Sequence, residues 1–369
     1  MPVNGPSKYP LSVYPRKKKG ASARAFARPV QAVVLVCVIG ATGCFLLPQL
    51  ITTQVRFEQA QPLATATVAN TPATVTPELV NSVAVATFPV SVDPATKSIV
   101  DNPKADQIFK STTSLTASAD TVSNIISWFA SLLDNTSLYQ SLAAADGHLI
   151  RIGPGYRKEQ VVAELTQALG WNAKQQQEFL ADASAQTGLT DGMFAPGSYV
   201  VDNSMTPSNV AAIMSLQFDK TILLHYSTTT ASQVPLGEAL TVASLIEREA
   251  KGPEDMRQIS GIIWNRLFDN MNLQIDATLQ YAKGEKDGQW WGPVVPKDKY
   301  IVSAYNTYMN NGLPPGPIAS PSLAAVLAAL NPVSTKCLFY FHDQYGNFHC
   351  SDTYAEHVAL LKKYYGQGK

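Results

Sequence analysis

Residues Pro235–Ala250 read PLGEALTVASLIEREA, and this stretch sets the reading of the rest of the chain. Pro235 suits a first helical position. At about 100° per residue, Leu236, Leu240, Ala243 and Glu247 fall on one stripe, flanked by Ile246 and Ala250, while Glu249 falls on the far side beside Glu238 and Leu245. A carboxyl on an apolar stripe loses stability in its charged form, so its pKa rises. Such an acid keeps a proton that it can donate to a leaving oxygen. Glu247 is therefore the carboxyl that the phasing singles out, against the common case of a lone Glu exposed at the rim of a helix end.

Downstream, Ile259, Ile262, Ile263 and Leu267 give a helical apolar face, with Asn265 and Arg266 as polar groups within it. Leu273-Gln274-Ile275-Asp276 alternates like a strand, which puts Gln274 and Asp276 on one face. Tyr305-Asn306-Thr307-Tyr308 precedes Gly312–Ile318, GLPPGPI, a rigid loop that can line a sugar groove with aromatic faces and hydrogen bonds. Near the end, Leu338–His342 and Phe348–Ser351 read as a hairpin around Asp343–Asn347. A hairpin would place Cys337 and Cys350 near each other, and its register decides whether their Cα atoms come close enough for a disulfide, which an extracytoplasmic location permits. His349 and His357 lack a third ligand, so no metal is expected.

Upstream, residues 148–220 show strand, turn and helices: Ile150 and Ile152, then Gly153-Pro154-Gly155, then Val161, Leu165 and Leu169 at helical spacing with Gly170 as C-cap. A second helix is expected at 173–183, a strand-like piece at 194–201 and a third helix at 207–219. Residues 53–122 are rich in Ala, Thr, Val, Ser and Pro, and read as an extended tether without a packed core. Ser123–Leu133 is a more apolar segment, expected to form a short helix. Residues 30–51 carry no charged side chain and are long enough to span a bilayer. Arg16, Lys17, Lys18, Lys19, Arg24 and Arg28 precede them, so the N-terminus is expected in the cytoplasm and the rest outside.

The 369-residue chain has 28 basic and 28 acidic side chains and is only 15% charged. That neutral balance gives no reason to expect nucleic acid as a partner.

Several pieces together resemble the MltG (YceG-like) family of endolytic murein transglycosylases. They are ASLIERE at Ala243–Glu249, NRL at Asn265–Leu267, LQxD at Leu273–Asp276, YNTY at Tyr305–Tyr308, GLPPGPI at Gly312–Ile318, AALNP at Ala328–Pro332 and YFHDQYGNFHCSDTYAEH at Tyr340–His357. The chain departs from the family pattern at Ala277 and Ala304, where Pro is usual, and at Pro321-Ser322, where Pro-Gly is common. The resemblance implies an α+β protein: a cytoplasmic basic segment (1–29), a transmembrane helix (30–52), a tether with a short helix (53–145), a LysM-like domain (146–220) and a catalytic domain (221–369). It implies a single-pass protein of the cell (inner) membrane that cuts the MurNAc–GlcNAc bond within peptidoglycan strands and leaves 1,6-anhydro ends. No cofactor is implied, and peptidoglycan synthases are plausible partners. Glu247 would be the catalytic acid, with Glu249 as the second candidate, and Asp276 would orient Gln274, Arg266 or substrate, or serve as a second carboxylate. Gln274, Asn265, Arg266, Tyr305, Asn306 and Thr307 would line the groove. The competing expectation is an inactive glycan-binding or wall-tethering protein.

Overall fold

The structure is a computed structural model that describes residues 54–56, 59, 87–113, 147–185, 190–284 and 289–366. All of these belong to one compact unit, 51–369. The expected membrane helix at 30–52 and the segment Ser123–Leu133 lie outside the described residues. Among the described residues no helix is long and apolar enough to cross a membrane.

The architecture is mixed α+β, with three small two-stranded antiparallel sheets among helices. At its centre is α6 (Leu236–Glu249), in which every residue from Ala239 to Ile246 is buried. It packs against α7 (Pro253–Phe268) and α9 (Leu323–Leu330). The sequence of α9, LAAVLAAL, is apolar on every side, which suits a helix buried on all faces. Its N-cap is Ser322, whose side chain accepts from the Ala325 N–H. Small residues let these helices approach closely. A Cβ on Gly261 of α7 would lie 2.4 Å from the Val333 carbonyl oxygen, so the chain leaving α9 can cross α7 only at a glycine. The Trp264 indole N–H donates to the Ala329 carbonyl at 2.9 Å and locks the same crossing.

A smaller unit follows the order strand, helix, helix, strand: β3 (His148–Ile152), α2 (Lys158–Leu169), α3 (Ala173–Ala185) and β4 (Gly197–Val201). β3 and β4 pair antiparallel, with Ile150 opposite Tyr199. The spacing of Val161 and Leu165 and the left-handed Gly170 cap match the sequence expectation. α4 (Pro207–Thr221) follows and packs on α3, and the short α5 (Thr228–Gln233) leads into α6. After α7 come α8 (Asp276–Lys283), the 296–318 loops and α9. The hairpin β5 (Phe339–His342) and β6 (Phe348–Ser351) and the helix α10 (Tyr354–Tyr365) complete the fold.

Two expectations need correction. The tether reading of 53–122 does not hold over 87–113. There the chain forms a tight hairpin, β1 (Val92–Asp93) and β2 (Ser98–Ile99), and a helix, α1 (103–113). Phe88, Val92, Ala105 and Phe109 are buried. The Ser91 N–H donates to the Leu330 carbonyl at 2.9 Å, and the Asn331 amide donates to the Pro89 carbonyl at 2.7 Å. Arg257 pairs with Asp106 at 2.6 Å. The low-charge composition of the whole stretch concealed a short local pattern, in which Asp93 caps a turn by accepting from the Ala95 N–H. The second correction is Leu273–Asp276, which is not a strand. Its burial alternates as expected, but Gln274 is left-handed at φ 54° and Asp276 begins α8.

Cys337 and Cys350 form a disulfide with Cα atoms 5.8 Å apart. It joins the entry of β5 to β6, where Tyr340 pairs with Cys350. Cys350→Ser should lower unfolding free energy by about 3 kcal/mol, the loop-closure value for a ring of this size, in denaturant titrations without reductant. Phe88→Ala should cost about 3 kcal/mol in the same titration, as a buried aromatic truncation does, whereas a free tether would tolerate it without loss.

Candidate active site

The last turn of α6 points two carboxylates in different directions. Glu247 faces the start of α9. Its Oε2 accepts from the Ser322 N–H at 2.9 Å and from the Ser322 hydroxyl at 2.6 Å. A carboxylate at a helix N-terminus is favoured by the unpaired N–H groups there. Burial raises the Glu247 pKa, and the two Ser322 hydrogen bonds oppose that shift. Glu247 thus serves as an anchor between α6 and α9.

Glu249 faces another neighbourhood, where three separate segments meet. The Tyr340 hydroxyl, from β5, donates to its Oε2 at 2.8 Å. Asp276, at the start of α8, raises its pKa by charge repulsion, while the Ala277 N–H favours the ionised form. Tyr308, from the YNTY loop, donates to Asp276 Oδ1 at 2.6 Å. Burial is the largest influence on Glu249 and pushes its pKa up. The Tyr308 and Tyr340 phenols are pushed up as well, chiefly by burial, so both remain donors at neutral pH. The result is a protonatable carboxyl beside a second carboxyl, with a tyrosine on each.

Most of the other expected groove residues act as braces. The Asn265 amide donates to the Thr335 and Cys337 carbonyls at 2.8 and 3.1 Å. Arg266 donates through Nε to Leu338 O at 2.6 Å and through Nη1 to Asn272 O and Leu273 O at 3.1 and 2.8 Å. Asn306 is fully buried and donates to the Lys299 and Ile301 carbonyls. Thr307 is buried too, where its hydroxyl accepts from the Ile275 N–H and meets the Thr278 hydroxyl. Gln274 is exposed beside Asp276, its backbone held by the Thr307 carbonyl. The Tyr305 ring packs on Tyr281 at a 45° tilt, with centroids 4.6 Å apart, five residues along α8 from Asp276. Tyr340 and Tyr308 were within quoted motifs, but nothing in the sequence alone singled them out. Their roles depend on which strand face and which loop end turn toward Glu249. His349 pairs with Asp343 and packs on Tyr364, and His357 packs on Phe339. No group of three or more metal-ligating side chains occurs among the described residues.

A model of the YceG-like family matches residues 97–363. The chain belongs to that family. It is 37% identical over 164 residues to an endolytic murein transglycosylase of Streptococcus pneumoniae (strain ATCC BAA-255 / R6), a match covering 44% of this chain and 29% of that protein. A second endolytic murein transglycosylase, from Bacillus subtilis (strain 168), is 34% identical over 175 residues, 47% of this chain and 48% of the relative. The chain thus spans less than half the length of these relatives. Among solved structures, a putative yceG-like protein of Listeria monocytogenes superposes with a TM-score of 0.53 at 25% identity, over 60% of this chain and 79% of that one.

The raised pKa of Glu249 has a consequence for stability. Above the usual carboxyl pKa of about 4.3 the unfolded chain ionises while the folded carboxyl keeps its proton. The folded state then binds more protons, and stability falls as pH rises through the folded pKa. Glu249→Gln removes that penalty, so the variant should melt at a higher temperature than wild type at neutral pH. The difference should shrink below about pH 4, where both carboxyls are protonated, and a series of thermal melts against pH measures it.

Proposed function

We propose that this protein is a membrane-tethered endolytic murein transglycosylase and that Glu249, rather than Glu247, is its acid. The observation that carries the assignment is the pairing of carboxyls. Glu249 accepts from Tyr340 and neighbours Asp276, which accepts from Tyr308, whereas both hydrogen bonds to Glu247 Oε2 come from Ser322, at the start of α9. The substrate class follows from family membership and from the relatives' names.

The chemistry needs one carboxyl used twice. Glu249 gives its proton to the glycosidic oxygen as the C1–O4 bond of the MurNAc–GlcNAc linkage breaks, and the GlcNAc end leaves as an alcohol. The resulting carboxylate then takes the proton of the muramic C6 hydroxyl as O6 bonds to C1. The new end is a 1,6-anhydro sugar and no water is consumed. Asp276, held by Tyr308, stabilises the positive charge that develops at C1. Tyr340 holds the Glu249 carboxyl in place through both steps. Gln274, exposed beside Asp276, and Tyr305 contact the sugars.

The strand–helix–helix–strand unit is a LysM-like glycan-binding module in this reading, supported by its paired β3 and β4 and by its position next to the larger α+β part of the same compact unit. Residues 30–52 form the membrane anchor, with the N-terminus in the cytoplasm. Cutting strands near the membrane would limit their length, and peptidoglycan synthases are the natural partners.

Incubation with murein followed by mass spectrometry tests the assignment. Glu249→Gln should lower the rate of release of anhydro-muramic ends by about 10²–10⁴-fold, the usual contribution of a general acid. Glu247→Gln should retain most of the activity. A fully active Glu249→Gln enzyme would remove Glu249 from the chemistry. Reducing ends in place of anhydro ends would instead make Asp276 the base for a water molecule, as in glycosidases with two carboxylates.

A further inference from the structure

A cavity of about 750 Å³ opens between the small unit and the first turns of α6. It lies at the opposite end of that helix from Glu249 and plays no part in the acid chemistry. Two segments run from it toward the carboxylates. The Tyr281 and Tyr305 rings, tilted at 45° with centroids 4.6 Å apart, form one wall of the cavity. Asp276 and Tyr308, on the same helix and the same loop, form the hydrogen-bonded pair beside Glu249. Along α8 Asp276 and Tyr281 are five residues apart, a rise of about 7.5 Å and a rotation of about 140°, so a chain joining them passes around the helix.

The lining has a definite chemistry. The 313–317 loop contributes Leu313 and three prolines, which with the two tyrosines make an apolar rim. Polar groups of both signs interrupt it. Glu238 is exposed in the first turn of α6, and the Lys158 ammonium lies at the edge with its side chain 41% exposed. Asp191 belongs to the wall: the Lys158 N–H and the Tyr281 hydroxyl donate to it at 2.9 and 2.7 Å. A cavity of this make-up suits a short peptide with small apolar side chains, one amine and a carboxylate.

We propose that this cavity receives the stem peptide carried by the muramic acid residue bound at Glu249. The proposal rests on the glycan-cleaving function argued above. Glu238 stands eleven residues before Glu249 on α6, about 16 Å at the rise of a helix, and an extended peptide advancing about 3.3 Å per residue covers that with a stem of four or five residues. The side-chain amine of a diamino acid in the stem then meets Glu238, and a stem carboxylate meets Lys158, whose ammonium also lies 3.5 Å from Asp191. The cavity thereby makes the enzyme select strands whose stems have not been removed.

Gly237 supplies a clean test. It lines the cavity in the first turn of α6, and a Cβ there meets no atom within 4 Å. Gly237→Trp therefore has room for its Cβ, brings a large side chain to the cavity, and improves the helix propensity of its turn. The full chain in detergent is assayed on two strand preparations, one with intact stems and one stripped by an amidase. Wild type should favour stem-bearing strands in kcat/KM, and Gly237→Trp should lower that ratio by about tenfold through a higher KM on the stem-bearing strands. Glu238→Gln should lower the ratio too, and should lose this effect on strands whose stem amine has been acetylated. Equal cleavage of both preparations by wild type overturns the proposal. So does a Trp variant that melts like wild type and keeps its ratio. If wild type cuts neither preparation, the glycan-cleaving function itself fails, and the stem proposal fails with it.

Discussion

The guanidinium of Arg266 holds the active region together. From the last turn of α7 it donates to Leu338 O on one side and to Asn272 O and Leu273 O on the other. The first carbonyl lies two residues before Tyr340, and the last lies three residues before Asp276. One buried cation thus fixes the two segments that meet at Glu249. Its fork of donors suits this task, because three carbonyls satisfy it without introducing an opposing charge. The neighbouring Asn265 repeats the pattern with two more carbonyls, at Thr335 and Cys337. The disulfide between Cys337 and Cys350 then closes the hairpin on which Tyr340 stands. Asn265 and Arg266 were expected to contact sugar, and in the structure their side chains brace the segments that carry Tyr340 and Asp276.

Much of the fold was legible in the sequence. The strand, two helices and strand of the small unit, the terminal hairpin and its disulfide, and the helix carrying ASLIERE all stand where patterning put them. These elements are local, and their periodicity needs no knowledge of what packs on them. The choice between Glu247 and Glu249 was not legible by the same reasoning. Phasing contrasts an apolar stripe with a polar face, and this works for a helix with one wet side. α6 has none over its central turns: eight consecutive residues, Ala239–Ile246, are buried. Its far side is covered as well, so Glu249 is as much an interior carboxyl as Glu247. Only the identity of the covering groups separates the two.

The segment 87–113 failed for a different reason. Composition over seventy residues dilutes a pattern of ten. Phe88, Val92 and Phe109 are spaced too widely to form a periodic stripe, and their partners are remote in sequence. The Phe88 N–H bonds to His225, Ser91 bonds to Leu330, and Lys97 reaches the Phe268 carbonyl at 2.7 Å. Such contacts become visible only when the helices they bind have been assembled. The consequence for function is direct. This strap crosses the ends of α7 and α9, the two helices against which α6 is fixed, so the rigidity of the Glu249 end depends partly on a stretch that reads as spacer.

The departures from the family pattern gain meaning from the same geometry. Two of them touch the two glutamates. Ser322 stands where glycine is common, and its hydroxyl and N–H hold Glu247 against α9. A glycine would keep the N–H and lose the hydroxyl, so the anchor in this chain is the stronger of the two. Ala277 stands where proline is usual, in the first turn of α8, a position that proline can also occupy. Proline has no N–H, whereas the Ala277 N–H faces Glu249 and favours its ionised form. Burial and Asp276 push the Glu249 pKa up, and Ala277 draws part of that shift back. A proline at 277 would remove that donor, so the backbone of this chain tempers the upward shift that burial produces at Glu249.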